Sequence, residues 1–344
     1  MGSCFKKNNE EDCELENNLC AFSAKMREVA AEIRLYAPLD FPILIEGASG
    51  TGKEIVARAI HTLSGRASSP FLPINLVEGA DTLFESNLFG HKKGAFTGAD
   101  HGKVGFLEMA KDGTIFMDEV NSLPKPLQPK LLRVLEEKVY WPVGSGSPAT
   151  TEARFIFSSN QTLLNLLKEG RFREDVMYRL GRTIRLPLLI DRPEDIPCLA
   201  TRLVAEASRK IAAAFSRGNV VVDSDMMMTP QSPPELSEEA LRKLRSYSWP
   251  GNVREMKTVL ERAVLLCQKG IILAKDIEFP YPNERPLDEY QSTLERFNAE
   301  YFSRVVSMAG ENVRLGVILT GLSETSYRRK VRKYAKRNQI SAFR

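Results

Sequence analysis

Gly47-Ala48-Ser49-Gly50-Thr51-Gly52-Lys53 has the residue types and spacing to hold a phosphate. The glycines let the backbone wrap so that successive N–H groups converge on one anion, and the closing lysine reaches its outer oxygens. The run follows the apolar stretch PILIE and opens EIVARAIH, the strand, loop and helix order such a cradle requires. The hydroxyl residue that commonly follows the lysine and binds magnesium is replaced by Glu54. A second pair, Asp118-Glu119, ends the apolar run Ile115-Phe116-Met117. A carboxylate at the end of a buried strand can hold magnesium through water, and the glutamate beside it can orient or deprotonate an attacking water. The combination favours hydrolysis over phosphoryl transfer to a substrate.

Other residues carry two readings each. Asn75 ends FLPIN and Asn160 ends FIFSSN, where neutral amides either cap turns or sense a γ-phosphate. In GRFREDVMYRL, Arg173 and Arg179 either lie on a solvated helix with internal ion pairs, such as Glu174 or Asp175 with Arg179, or reach a neighbour's nucleotide as arginine fingers. WPGNVRE starts a helix in which Asn252 caps and Glu255 completes a capping box. Arg254 then lies in the first turn, where a cation needs an outside anion, either a nucleotide phosphate or a carboxylate. In GHKKGAFTGA (90–99), Phe96 stands between Gly94-Ala95 and Thr97-Gly98-Ala99, a ring with little local surface to pack against. It is either a stray aromatic on a surface turn or an anchor pushed into another protein.

These residues need rigid elements to position them. PILIEG, FLPIN, GTIFMDE, ARFIFSSN and RTIRLPL alternate with helical segments, as strands covered on both faces do, so the fold is α/β with a mainly parallel sheet. Residues 1–20 read as a polar, acidic tail, 21–190 as the α/β domain and 191–279 as a small helical domain. The helical domain spans 194–215 and 237–268, with a Pro/Ser/Met loop at 223–234. Residues 280–290 read as a proline-broken linker and 291–344 as a third, helical unit. Net charge is only +4 over 344 residues, but the stretch from Thr325 to Arg344 carries eight bases and no acid, which points that end at nucleic acid. Cys4, Cys13, Cys20, Cys198 and Cys267 form no CxxC pair, so free thiols are expected, with no zinc site and no disulfide. No run is long enough to span a membrane, which suggests a reducing, cytoplasmic setting.

GASGTGKE, GAFTGA, the strand ending in Asp118-Glu119, FREDVMYRL and WPGNVREMKTVLERAV together resemble bacterial enhancer-binding proteins, the AAA+ activators of sigma-54 RNA polymerase, over roughly residues 22–336. In that family a glutamate at the position of Glu54 is normal. The resemblance implies a ring of six or seven subunits with ATP between them, phosphates on Gly47 to Glu54, magnesium on Asp118 and water on Glu119. It implies that Asn75 is a switch holding Glu119 idle, that Asn160 and Arg254 are sensors, and that Arg173 and Arg179 are fingers across the subunit boundary. Gly94 to Ala99, with Phe96 and Thr97 at the tip, is implied to touch the sigma factor. Pro142 stands where the family carries a basic residue before Val143-Gly144, and Ile190 replaces an arginine, so ATPase rate and self-assembly are the properties these departures touch. A mixed ring with a paralogue would compensate.

At the C-terminus, YFSRVVSMA, NVRLGVIL and SETSYRRKVRKYAK read as three helices ending in a helix-turn-helix, with Gly321 turning and Ser323 capping. Tyr327, Val331 and Tyr334 face inward; Ser323, Thr325, Ser326, Arg328, Arg329, Arg332, Lys333 and Lys336 are left for DNA. This end resembles the Fis-like unit of the same family but has Gly316-Val317 where two alanines are usual, which predicts a weaker supporting helix. About forty residues precede the P-loop, too few for a receiver domain, so control is expected in trans, through expression, an inhibitory protein or a partner. Stand-alone relatives governing phage-shock responses or type III secretion are built this way. The reading is an ATP-driven activator bound to enhancer DNA; the alternative is a DNA-binding regulator whose weak ATPase serves mainly assembly.

Overall fold

The central strands at Ile43–Glu46, Thr114–Asp118 and Arg154–Ser159 are buried almost throughout, with helices on both faces, whereas the edge strands at Phe71–Asn75 and Arg182–Arg185 are partly exposed. The computed structural model describes residues 14–76, 81–216, 233–267, 270–280, 298, 301–309 and 312–334. The strands of the main sheet are β1 (Ile43–Glu46), β2 (Phe71–Asn75), β3 (Thr114–Asp118), β6 (Arg154–Ser159) and β7 (Arg182–Arg185); β4 (Val139–Tyr140) and β5 (Ala149–Thr150) form a separate antiparallel pair. The sheet order is β2-β3-β6-β1-β7, with every neighbouring pair parallel. Alternate residues of each strand go to opposite cores. Ile43, Ile45, Phe116, Ile156 and Ile184 pack on one side with residues of α1 (14–19), α2 (Ala24–Tyr36) and α3 (Lys53–Thr62). Leu44, Ile115, Met117, Phe155 and Phe157 pack on the other with α4 (Asp81–Phe89), α5 (Phe106–Met109), α6 (Gln128–Glu137), α7 (Leu163–Lys168) and α8 (Glu174–Arg179). With no polar face to leave open, the central strands read as continuous apolar runs, while β7 at the edge exposes Arg182 and Arg185. Their shared direction brings Glu46, Asn75, Asp118 and Ser159 to one edge of the sheet.

The helices α9 (Ile196–Ser216), α10 (Glu238–Ser246) and α11 (Asn252–Leu266) follow, and belong to the first of two compact units, Met1–Glu278. Two expectations change here. Residues 14–19 are helical with Leu15 and Leu19 buried, so the polar-tail reading does not hold from residue 14 onward. Cys20 and Cys198 form a disulfide, where free thiols were expected. The two lie 178 residues apart, and only the packing of the pre-α2 segment on the start of α9 brings them together. Buried Asp195 fixes the same junction, accepting from the backbone N–H groups of Phe22 and Ser23 (2.7 Å each) and from the Ser23 hydroxyl (2.9 Å). Cys267 is a free thiol; Cys4, Cys13 and the loop at 223–232 lie outside the described residues. Among the described residues, no helix is long and apolar enough to cross a membrane.

The second unit, Phe279–Arg344, contains α12 (301–309), α13 (Val313–Thr320) and α14 (Glu324–Tyr334). Phe302, Val305, Val306, Tyr327 and Val331 form its core. Asn312 caps α13 by accepting from the Leu315 N–H at 3.1 Å, and Gly321 ends it in the left-handed region. Thr325, Arg329 and Arg332 are exposed, whereas Arg328 pairs with Glu324 at 2.9 Å, an acid just ahead of the basic run. The Lys333 and Tyr334 side chains and all of Lys336 lie outside what is described. Gly316 has a reason the alanine comparison missed: a Cβ there would lie 2.2 Å from the buried Tyr327 ring.

Two outcomes follow from this packing. Alanine in a helix gains about 1 kcal/mol over glycine, but overpacking a closed core costs about 1–3 kcal/mol. Gly316→Ala therefore destabilises the C-terminal unit in chemical unfolding, and adding Tyr327→Leu restores part of the loss. In the first unit, hydrogen bonds from Lys257 and Lys210 hold the Glu206 carboxyl down from its ordinary 4.5 to about 2. A lowered folded-state value gives stability that is complete above the unfolded value and is lost as pH falls through the folded one. Glu206→Gln thus lowers the melting temperature at pH 7, and thermal scans show the deficit shrinking from pH 4.5 toward 2.

Candidate functional site

The loop after β1 wraps as its glycines predict, and α11 closes it from the other side. Gly50 sits at φ +78, and a Cβ there would lie 2.4 Å from the Gly251 carbonyl, so only glycine lets α11 approach this closely. Val253 N–H donates to the Gly50 carbonyl (2.9 Å), Asn252 Nδ2 to the Ser49 carbonyl (3.1 Å) and Arg254 Nη1 to Ser49 Oγ (2.6 Å). Arg254 therefore reaches the phosphate loop, as its place in the first turn suggested. Asn252 is not a helix cap. Its φ of +52 turns the side chain away from the helix, where Oδ1 accepts from the buried Leu189 N–H at 2.9 Å, while Glu255 accepts from Gly251 N–H. Spacing alone suits a cap at this position, but the backbone conformation redirects the amide. Buried Arg192, unremarked as a functional residue, donates to the Thr51 carbonyl at 2.8 Å. Glu54 turns outward to Arg58, and the Thr51 hydroxyl donates to the Ala48 carbonyl.

At the strand edge the charged groups converge. Lys53 is buried, donates to the Gly47 carbonyl at 2.9 Å and lies 3.9 Å from Glu119. Burial lowers the Lys53 pKa against the pull of Glu119 and Asp118, and burial raises that of Glu119 against the pull of Lys53. Glu119 sits in the left-handed region at φ +61, and among the described residues none hydrogen-bonds to its buried Oε2. Ser158, on the neighbouring strand, donates to Asp118 Oδ1 and accepts from Glu119 N–H. The register places Asn75 beside Asp118. Asn121 bonds to the Glu119 carboxylate and accepts from Ser159 Oγ at 3.1 Å and the Asn160 N–H at 3.4 Å. Ser158 and Asn121 carry no sequence signal beyond following an apolar run and an Asp-Glu pair. A cavity of about 320 Å³ opens beside Thr51 and Gly52, with Leu19, Leu186, Leu199 and Leu203 in its walls.

Arg173 and Arg179 lie apart from this centre. Arg173 forks onto Asp175 (3.0 and 2.7 Å), and Arg179 pairs with Glu136 of α6 at 2.9 Å, neither of them the Arg179 partnership expected within α8. The 90–99 loop projects from a base where Val143 bonds to Gly90 and Lys92 through its backbone (2.9 and 3.0 Å), so Pro142, lacking an N–H, removes nothing from that base. Phe96 is 44% exposed but not without packing: its ring lies 5.0 Å from the His91 imidazole. His91 is itself held at both nitrogens, by Ser86 Oγ (2.7 Å) and the His101 carbonyl (2.9 Å). Gly94, Thr97 and Gly98 are exposed and Ala99 is buried. Ile190 is exposed in a turn at Leu189–Asp191.

The sigma-54 interaction domain family matches residues 19–185, and an AAA+ ATPase lid domain matches residues 224–293. The chain is similar to the transcriptional regulatory protein GlrR of Escherichia coli K12, 36% identical over 307 residues, covering 89% of this chain and 65% of that protein. It is similar to the formate hydrogenlyase transcriptional activator FhlA of the same strain, 38% identical over 312 residues, covering 87% and 42%. It thus spans less than two thirds of these relatives' length. Among solved structures, NtrX from Brucella abortus in complex with ATP superposes with a TM-score of 0.61 at 31% identity, covering 90% of this chain and 68% of that one.

Losing the Asn252 amide leaves the buried Leu189 N–H unpaired, which costs about 1–3 kcal/mol. Asn252→Ala also forces alanine into a left-handed position that asparagine and glycine tolerate. Unfolding experiments should rank stability as wild type, then Asn252→Gly, then Asn252→Ala.

Proposed function

This chain belongs to the sigma-54-dependent AAA+ activators, and on that premise we propose that it hydrolyses ATP to remodel sigma-54 RNA polymerase from an upstream DNA site. The observation that carries the reading is the buried Lys53–Glu119 pair at the mouth of the phosphate loop, beside Asp118, with Glu119 Oε2 bonded to none of the described residues. Two opposite charges taken out of water are poorly compensated by each other at 3.9 Å. A triphosphate would bring Lys53 a closer anion than Glu119, and a water would bring a donor to Glu119 Oε2.

In this mechanism residues 47–53 and Arg254 bind the phosphates, and the apolar cavity beside Gly52 takes the base. Ser158 orients Asp118, and Asp118 with the phosphates fits a magnesium ion, which supplies neutralisation of phosphate charge. Glu119, raised toward neutrality by burial, orients the attacking water and takes its proton. Asn121 and Asn160 register the state of Glu119, with Asn75 as the switch at the adjacent strand end. Arg173, just before α8, and Arg179, at its end, pair with Asp175 and Glu136 of their own chain, and on the family resemblance we assign both to act on a neighbouring subunit's nucleotide in a ring, either of this chain alone or mixed with a paralogue. Phe96 and Thr97 form the output contact with sigma-54. We assign residues 21–190 to the ATPase subdomain, 191–279 to the lid and 291–344 to DNA binding through Ser323, Thr325, Ser326, Arg328, Arg329, Arg332 and Lys333.

The test is ATP-dependent open-complex formation on a supercoiled sigma-54 promoter. Lys53→Ala should lose both ATP hydrolysis and opening, with hydrolysis down by at least about a hundredfold, the scale of losing one transition-state donor. Thr97→Ala should keep hydrolysis and lose opening. If all three proteins open the promoter equally, the reading is wrong.

A further inference from the structure

We propose that Cys20–Cys198 is a reducible staple across the cavity beside the phosphate loop, a thiol–disulfide exchange site for a dithiol reductant that sets how firmly that cavity holds nucleotide. The inference rests on the reading of the cavity as the nucleotide's.

The bond joins its two walls at neighbouring residues. Asn18 and Leu19 line one side immediately before Cys20, and Leu199, Arg202 and Leu203 line the other just after Cys198. A single covalent bond therefore fixes the pre-α2 segment against α9 where the cavity is formed. Asp195 ties the segment to α9 after Cys20, at Phe22 and Ser23; before Cys20, Arg202 bonds to the Asn18 carbonyl, Arg34 pairs with Glu16 at 3.3 Å, and Leu15 and Leu19 are buried. Breaking the disulfide removes the one covalent tie among these, so α2 stays anchored through Asp195 while residues 14–20, left with side-chain contacts alone, loosen most. Cys20 also sits in the left-handed region at φ +50, a conformation costly for a side-chain-bearing residue, which the segment can leave once the bond opens.

The two sulfurs are unequal. Cys20 is fully buried, while Cys198 is partly exposed, so a reductant reaches Cys198 first. Arg202 Nη1 lies 4.0 Å from Cys20 Sγ, a cation beside the sulfur that must leave. In the first step a thiolate of the reductant attacks Cys198 Sγ, the Cys20–Cys198 bond breaks, and Cys20 departs as a thiolate that takes a proton. In the second, the reductant's other thiol attacks the mixed disulfide and frees Cys198, so the protein gains two electrons and two protons while the dithiol becomes a disulfide. An activator of RNA polymerase works where thiols are kept reduced, and disulfides found there are made and broken rather than permanent.

The full chain is prepared in air and again after dithiothreitol, beside Cys198→Ser and Arg202→Gln, and read by thiol alkylation with mass spectrometry, deuterium exchange and titration with a non-hydrolysable ATP analogue. The air-prepared chain should label two fewer cysteines than the reduced one. Arg202→Gln should slow reduction about tenfold, the size expected when a leaving thiolate loses its cation. Reduction should raise exchange in residues 14–20 and weaken analogue binding about tenfold through lost pre-organisation, with Cys198→Ser matching the reduced chain in either condition. Thiols free in both preparations, a bond that opens only in urea, or equal exchange and equal affinity in the two states would each overturn the proposal. If neither state binds the analogue, the nucleotide reading fails, and labelling and exchange alone decide whether the staple exists.

Discussion

Burial of Lys53 against Asp118 and Glu119 is the constraint on which the rest of the site depends. Three charged groups are drawn out of water at the end of a sheet whose faces are both apolar, and such groups are held only where the surroundings fix them. The phosphate loop ties Lys53 to its own carbonyls, Ser158 bridges Asp118 and Glu119, and Glu119 is kept in an unfavourable backbone conformation. Strain of this kind persists where the fold over-determines it, and here five parallel strands with helices on both faces do so.

The helical subdomain completes the wrap. Asn252, Val253 and Arg254 bond to Ser49 and Gly50 from one side, and Arg192 bonds to Thr51 from another. The phosphate loop is thereby built by both subdomains, so a ligand there bears on their relative position. The disulfide and the Asp195 bonds act on the same junction from the side of the cavity.

The loop that carries Phe96 is fixed at its base and open at its tip. His91 packs against the ring and is itself held at both nitrogens, and Val143 pairs with the loop's start. The ring is therefore held in one orientation at the loop's tip while part of it stays in solvent. The departure at Pro142 leaves this base intact because Val143 makes the backbone bonds.

The fold class, the five strands, the phosphate loop, the Asp-Glu strand end and the projecting loop were legible in the sequence. Each depends on local pattern: apolar runs of strand length, glycine spacing, and acids where a strand stops. Arg254 was legible too, because helix starts have a local signature. The role of Asn252 was not, since its φ of +52, which no spacing rule reports, points its amide at the phosphate loop. Gly316 read as a weak helix position until the Tyr327 ring, eleven residues on, was seen to fill the space above it. Ser158, Asn121 and Arg192 act through contacts between separate elements, and the pairing of Cys20 with Cys198 spans 178 residues. The sequence by itself determined which chemistry the chain carries, because residue type and short spacing set what a loop can bind. Only the tertiary structure decided which groups hold that chemistry in place, because distance in space between remote segments is set by packing and not by order along the chain.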